Sequence, residues 1–303
     1  MSSWFDIIYE PPIKFGEPYP LFNRVSLETS SRCNRRCPFC PISLGVRDFP
    51  QTLMTNDTFY KIVTELQALQ LEHNNLKCIE LFRLNEPLLD QKYTYRIKMI
   101  RDCIPRVTIY CATNGDILLS NFHMDKAVVK MMELQAAGLN VISIDIYDDM
   151  DSEAILKFFK DMIVILCKSD RFATTTNRYQ QHSLKRLHIA LTDMRGDTKR
   201  VTESWTNCGM RKITAPKRFC PRPMRHFPIL YDGSVPVCCV VNPGDESIAR
   251  MGNVNDNTIV EIWNSPKFHM YRMHLQDKDR GSLPGCDTCD ARVAYAHVFR
   301  RVE

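Results

Sequence analysis

Over the first two thirds of the chain, apolar positions switch repeatedly between a period of two and a period near 3.6. Residues 24 to 28 (Arg-Val-Ser-Leu-Glu) alternate as a short strand that runs into a loop. Residues 55 to 71 then carry Phe59, Ile62, Val63, Leu66 and Leu69 at helical spacing, with Thr55 or Asn56 available as N-cap. The same pattern returns down the chain. Cys78 to Arg83 is strand-like, 92 to 103 helical, Val107 to Ala112 strand-like and 125 to 137 helical; Val141 to Ile146 is strand, 152 to 168 helix and Leu187 to Leu191 strand. Strands alternating with helices imply parallel βα units in an α/β fold. About five or six such units fit before residue 205, too few to close an eight-stranded barrel. The pattern therefore predicts a partial (β/α)6-type TIM barrel, with active residues at the C-terminal ends of the strands.

Beyond residue 196 the text changes character. Pro216, Pro221, Pro223, Pro228, Pro236 and Pro243 interrupt it, and five cysteines fall between positions 220 and 289. A boundary near 205 divides the chain into an N-terminal extension (1–23), a barrel domain (24–205) and a small C-terminal domain (206–303). Within the last, Tyr231-Asp232-Gly233-Ser234 reads as a hairpin turn between Phe227 to Leu230 and Val235 to Val240. Ile259 to Trp263 and Lys267 to His274 read as short helices.

Composition narrows the class. Of 303 residues, 44% are hydrophobic and 25% charged, the values of an ordinary globular protein. No apolar run approaches the ~18 to 20 residues of a membrane span. Met1 to Tyr9 lacks a basic segment followed by a long apolar one, so the expected compartment is the cytoplasm, with reduced thiols. Lys plus Arg number 40 against 35 Asp plus Glu, and a net charge of +5 is too weak to argue for a nucleic-acid partner. The basic clusters Arg32, Arg35, Arg36 and Arg222, Arg225 both lie beside cysteines. The outlier is the count of 13 cysteines, which in a reducing compartment points to metal ligation or redox chemistry.

Cys33, Cys37 and Cys40 form C-x3-C-x2-C on the loop after the first strand. A structural zinc site needs a fourth ligand, whereas an iron-sulfur cube held by three cysteines leaves one iron open for a small molecule. With the aromatic Phe39 directly before the third cysteine, this segment resembles the signature of the radical S-adenosylmethionine (SAM) superfamily. The resemblance implies a 4Fe-4S cluster whose open iron is chelated by SAM, and reductive cleavage of SAM to a 5′-deoxyadenosyl radical. It extends to Leu84-Asn85-Glu86-Pro87, where the family has a Gly-Gly-Glu-like segment that reads the SAM ammonium; here Leu84 and Asn85 replace the glycines and Glu86 supplies the carboxylate. Thr113-Asn114-Gly115 and Ser143-Ile144-Asp145 stand at further strand ends, with Ser143 the candidate for the SAM carboxylate or ribose.

The C-terminal segment offers Cys220, Cys238 and the pair Cys286-x2-Cys289, four thiolates that can close a metal site completely, with zinc and iron-sulfur both allowed. Cys220-Pro221-Arg222-Pro223, Asp232-Gly233, Cys238-Cys239, Gly252-Asn253 and Ile262-Trp263-Asn264 resemble the SPASM/twitch extension of radical SAM enzymes, and four ligands suit the shorter twitch form with one auxiliary 4Fe-4S cluster. Cys78, Cys103, Cys111 and Cys167 sit in apolar segments as small core residues.

Together these features are similar to the twitch-type 2-deoxy-scyllo-inosamine dehydrogenase-like enzymes. The implied activity is hydrogen abstraction from a small polar substrate such as a sugar, cyclitol or aminoglycoside precursor, with the auxiliary cluster oxidising the substrate radical. An external electron donor such as flavodoxin or ferredoxin is implied as well. Asp145, Tyr147 and Arg195 are the polar candidates near the substrate. Two alternatives keep the radical chemistry: an epimerase with Cys239 or Cys208 returning a hydrogen atom, and a peptide maturase, which the short N-terminal extension disfavours. A non-enzymatic zinc-binding protein is the reading from a different class, and predicts zinc at both sites.

Overall fold

In the computed structural model, the described residues are 19–37, 40, 42–43, 50–119, 122–147, 152–176, 183–193, 219–239, 249–287 and 289. Seven parallel strands form one sheet: β1 (Arg24–Leu27), β2 (Cys78–Glu80), β3 (Thr108–Thr113), β4 (Val141–Ile146), β5 (Phe172–Thr174), β6 (Leu187–Asp193) and β7 (His226–Ile229). Their order is β5-β6-β4-β3-β2-β1-β7. Helices α1 (Asn56–His73), α2 (Tyr93–Cys103), α3 (Asp116–Leu119), α4 (Met124–Ala137) and α5 (Ser152–Leu166) fill the connections. The α/β architecture expected from the pattern is present, as parallel strands joined by helical crossovers.

Local chemistry sets the element ends. The Thr55 side chain caps α1 by accepting from the Thr58 N–H, and Asn74 closes the helix in the left-handed conformation at φ 48°. Gly138 ends α4 at φ 101°. On the strands, Val25, Leu27, Ile79, Leu81, Ile109, Ile142, Ile144 and Ile189 share the face that packs under the helices, against Phe59, Ile62, Ile97, Met131 and Phe159. The opposite face carries a smaller apolar cluster of Cys78, Tyr110 and Val141, flanked by polar positions. Register puts Arg24, Ser26, Glu80 and His226 together on that face.

Three details differ from the sequence reading, the first being that Cys167, expected in the core, is exposed. The period-two pattern has no signal at β5, a three-residue edge strand that pairs with β6. The turn at 231–234 is present, with Gly233 at φ 83°, but β7 pairs with β1, some 200 residues earlier, instead of forming a long hairpin. Pro228 is tolerated because β7 is an edge strand of the sheet.

After β7 come β8 (Ser234–Pro236) and β9 (Arg250–Asn253), an antiparallel pair, then α7 (Ile259–Trp263) and α8 (Pro266–Gln276), preceded by the turn α6 (Arg222–Arg225). The buried Arg272 of α8 lies 3.7 Å from the Trp263 ring centroid and 4.0 Å from that of Phe268. It also donates to the carbonyls of Trp263 and Pro223, tying α6, α7 and α8 together. Among the described residues, no helix is long and apolar enough to cross a membrane.

Candidate active site and metal centres

At the C-terminal ends of β1, β2 and β3, one hydrogen-bonded chain joins three loops. The Glu86 N–H donates to the carbonyl of Arg32, one residue before Cys33. The Glu86 carboxylate accepts from the Thr113 hydroxyl at 2.6 Å, the Asn114 N–H at 2.8 Å and the Leu88 N–H at 3.0 Å. Burial pushes Glu86 up to about 7 against those donors. A carboxylate offers roughly four acceptor positions, so these three bonds leave one uncommitted among the described residues.

The chain continues through Asp116, which the sequence reading passed over, and Asn114, which it named. Asp116, at the start of α3, receives both Arg35 Nε at 2.8 Å and Arg35 Nη2, together with Asn34 Nδ2 at 2.7 Å. Asn114 Nδ2 donates to Asn34 Oδ1 at 3.0 Å, and Asn114 Oδ1 accepts from the Asp116 N–H. The Arg35 guanidinium stands 5.7 Å from the Tyr147 ring centroid. Gly115 makes the turn possible: its φ is +77°, and a Cβ there would lie 2.7 Å from Phe159 Cζ. Arg35 was visible as a basic residue inside the motif; its partner, 81 positions away, had no local signal.

Cys33, Cys37 and Cys40 are half-buried on this loop. Burial raises the Cys33 thiol, opposed by the Arg35 N–H; burial likewise raises Cys40, opposed by the N–H groups of Ile42 and Ser43. Those inward N–H groups are donors that a metal-bound thiolate would keep. Asn85 accepts from the Arg83 N–H of its own loop and donates to the Ser30 hydroxyl on the loop after β1. Ser143 is fully buried; its hydroxyl donates to Asp145 at 2.6 Å and lies 3.3 Å from Thr192 Oγ1. Phe39, Arg195 and Cys208 lie outside the described residues.

Cys220, Cys238, Cys286 and Cys289 come together in the C-terminal segment. Burial raises the Cys238 thiol, and the charges of Cys239, Cys220 and Cys289 raise it further; burial likewise raises Cys286, with Cys238, Cys220 and Cys289 adding to it. Tetrahedral zinc, with bonds of ~2.3 Å, would bring its thiolates to within roughly 3.8 Å of one another. Among the described residues no group of three His, Cys, Asp or Glu side chains closes on one metal ion. Four cysteine thiols are the donor set of an iron-sulfur cube as well as of a closed zinc site.

Cys239 acts on Cys238 and is also engaged with His226. It hydrogen-bonds His226; burial raises the thiol, but His226 and then Arg222 outweigh it and hold Cys239 below its usual range. Burial lowers the imidazole, yet Cys239 and Glu80 carry His226 up to about 9. The rest of the cluster is Ser26, 2.6 Å from both Glu80 Oε2 and His226 Nε2, and Arg24 at 3.5 Å from Glu80. No sequence signal marks this group, since its members are scattered over 200 positions.

Comparison with known proteins follows the same division. Residues 220–290 match the SPASM domain, an iron-sulfur cluster-binding domain. The chain is 23% identical over 274 residues to the S-adenosyl-L-methionine-dependent 2-deoxy-scyllo-inosamine dehydrogenase of Niallia circulans, covering 89% of this chain and 93% of that protein. The crystal structure of BtrN in complex with AdoMet and 2-DOIA superposes with a TM-score of 0.66 at 20% identity, over 91% of this chain and 97% of BtrN. BtrN in an open conformation gives a TM-score of 0.59 over 89% of this chain. The likeness to radical SAM enzymes with a SPASM extension, read from the cysteine motifs, thus agrees with a relative and a fold that span nearly the whole chain.

Proposed function

We propose that this protein is a radical SAM dehydrogenase that oxidises a carbinol carbon of a small polar substrate of the aminocyclitol class. The observation that carries the reading is the pairing of two unlike cysteine sites on one fold. Three half-buried thiols lie on the loop after β1, and four neighbouring thiols lie in the SPASM segment. Similarity to the inosamine dehydrogenase over most of both chains supports the substrate class.

Cys33, Cys37 and Cys40 would hold one 4Fe-4S cluster, and Cys220, Cys238, Cys286 and Cys289 the other. Bound there, SAM and the clusters would supply abstraction of one hydrogen atom and uptake of one electron, so that with loss of one proton a C–H and an O–H become a carbonyl. The chain's own residues supply the rest. Glu86 offers its remaining acceptor position to the SAM ammonium. The Arg35–Asp116 pair fixes the cysteine loop against the end of β3. Asp145 and Tyr147, where β4 ends, are the described candidates for orienting the substrate and accepting its proton, with Arg195 a further one. An external one-electron donor of the flavodoxin or ferredoxin type completes the cycle.

Oxidation is favoured over epimerisation by similarity to a dehydrogenase over nearly the whole length of both chains.

The test is product analysis after anaerobic reconstitution, with about eight irons per chain expected for two cubes. Turnover of an aminocyclitol should yield a product two mass units lighter, with no solvent deuterium at the attacked carbon before exchange. A product of unchanged mass carrying solvent deuterium at an inverted carbon would establish the epimerase instead. Stoichiometric zinc with no iron would end the radical reading.

A further inference from the structure

Arg280 is among the most deeply buried side chains of the protein, with 2% of its surface exposed. Buried guanidinium groups are ordinarily saturated with partners, because each unsatisfied N–H carries the cost of its lost hydration. Arg272 comes closer to that outcome: Nε and Nη1 have backbone acceptors, aromatic rings lie against its guanidinium, and Nη2 alone has no hydrogen-bond partner among the described residues. Arg280 is different. Its Nη1 donates to the carbonyl of Cys289 at 3.2 Å, while Nε and Nη2 have no hydrogen-bond partner among the described residues. Its charge also reaches the four-cysteine site, where it favours the thiolate of Cys286 against burial and the neighbouring cysteines.

Four thiolates around a core of charge +2 leave a net charge of −2 in a buried place. Such a charge is tolerated only beside a counter-charge and donors. A fixed cation with two uncommitted N–H groups supplies both.

We propose that Arg280 sets the reduction potential of the centre held by Cys220, Cys238, Cys286 and Cys289, donating its Nε and Nη2 hydrogens to sulfur of that centre. This rests on those four cysteines holding an iron-sulfur cluster. Reduction adds one electron to the centre with no proton and no bond change. The added negative charge is stabilised by the guanidinium more than the oxidised form is, so the cation raises the potential. Hydrogen bonds to sulfur act in the same direction. The consequence for oxidation chemistry is direct: a higher potential makes the centre a better acceptor of the substrate's remaining electron.

The experiment uses the full chain, reconstituted anaerobically, with Cys33, Cys37 and Cys40 changed to Ala so that only the C-terminal centre is observed. Iron content comes first. Zinc, or no iron, defeats the underlying reading and leaves nothing for Arg280 to tune. With about four irons per chain, redox titration followed by EPR should place Arg280→Gln at least 59 mV lower, a tenfold change in the one-electron equilibrium. Arg280→Lys, which keeps the charge, should recover more than half of that shift. Arg280→Gln at the parent's potential, or Arg280→Lys as low as Arg280→Gln, overturns the proposal. Should Arg280→Gln fail to take up iron, the parent protein labelled with 15N-arginine decides. Pulsed EPR of the reduced centre should show a nitrogen coupling that Arg280→Lys removes, and its absence from the parent overturns the proposal equally.

Discussion

The two cysteine sites solve opposite problems. The N-terminal three lie half-buried on a loop whose shape comes from side-chain hydrogen bonds, Glu86 to Thr113 and Asp116 to Arg35, between segments up to 82 residues apart. The hydrophobic core beneath that loop, from Val25 and Leu27 to Phe59 and Ile62, is complete without it. In the C-terminal segment Cys238, Cys286 and Cys289 are themselves buried, and Cys238 and Cys286 belong to the apolar core alongside Val235, Val237, Met251 and Leu283. An open site must exchange a ligand, so its thiols stay accessible and its geometry is polar. A closed site exchanges nothing, so its metal can take the place of a core.

The largest effect should follow from that asymmetry. Metal binding at a closed site is folding free energy, since the unfolded chain has no preformed site. Changing Cys286 and Cys289 to Ala should cost several kcal/mol, lowering the thermal transition of the reconstituted protein by about 10 °C or more. The triple change of Cys33, Cys37 and Cys40 to Ala should move the transition by only about 2 °C while abolishing SAM cleavage. Calorimetry on both variants checks the comparison, and equal losses of stability would break it.

A middle-sized effect belongs to Asp116. It accepts a bidentate guanidinium and an amide, charge-assisted bonds worth roughly 1.5 to 3 kcal/mol. If these bonds shape the open site and little else, Asp116→Ala should weaken SAM binding about ten- to a hundred-fold by titration calorimetry. Its unfolding transition should stay close to the parent's. A fall in stability with unchanged affinity would make Asp116 a plain structural residue and remove the contrast between the two regions.

What the sequence made legible tracks the same division. Parallel strands with helices packed on one face and polar positions on much of the other must alternate, and β1, β3, β4 and the start of β6 were readable within a residue or two. The cysteine spacings were readable because a cluster demands local geometry. Pairings closed over long separations were hidden. β7 lies directly beside β1 although some 200 residues separate them in sequence, and the cluster of Ser26, Glu80 and His226 assembles only when β1, β2 and β7 align. Asp116 and Arg280 were hidden for another reason: a charged residue at a helix start or in a loop carries no local mark of being buried or paired.

The smallest and sharpest effect is one of pH. Burial holds Glu86 up to about 7, well above an ordinary carboxylate, in the structure without ligand. A group raised in this way stabilises the ligand-free fold in its protonated form. That contribution is fully present below the ordinary value of 4.5 and is lost as pH rises through about 7. Binding of an ammonium runs the other way, because it needs the carboxylate ionised. Below pH 7 the proton must first be given up, so SAM affinity should fall toward tenfold for each unit of pH between about 7 and 5.5, and level off above 7.5. Glu86→Gln should bind SAM about ten- to a hundred-fold more weakly at pH 8. It should also show a much flatter pH profile, with the two proteins converging in affinity at the acid end. Titration calorimetry across this range, with SAM as the probe and enzyme held under anaerobic conditions, reads both features at once. A parent profile that is flat, or a Glu86→Gln profile as steep as the parent's, would assign the dependence to the cysteines of the open site and return Glu86 to its visible work of joining Arg32, Thr113 and Asn114.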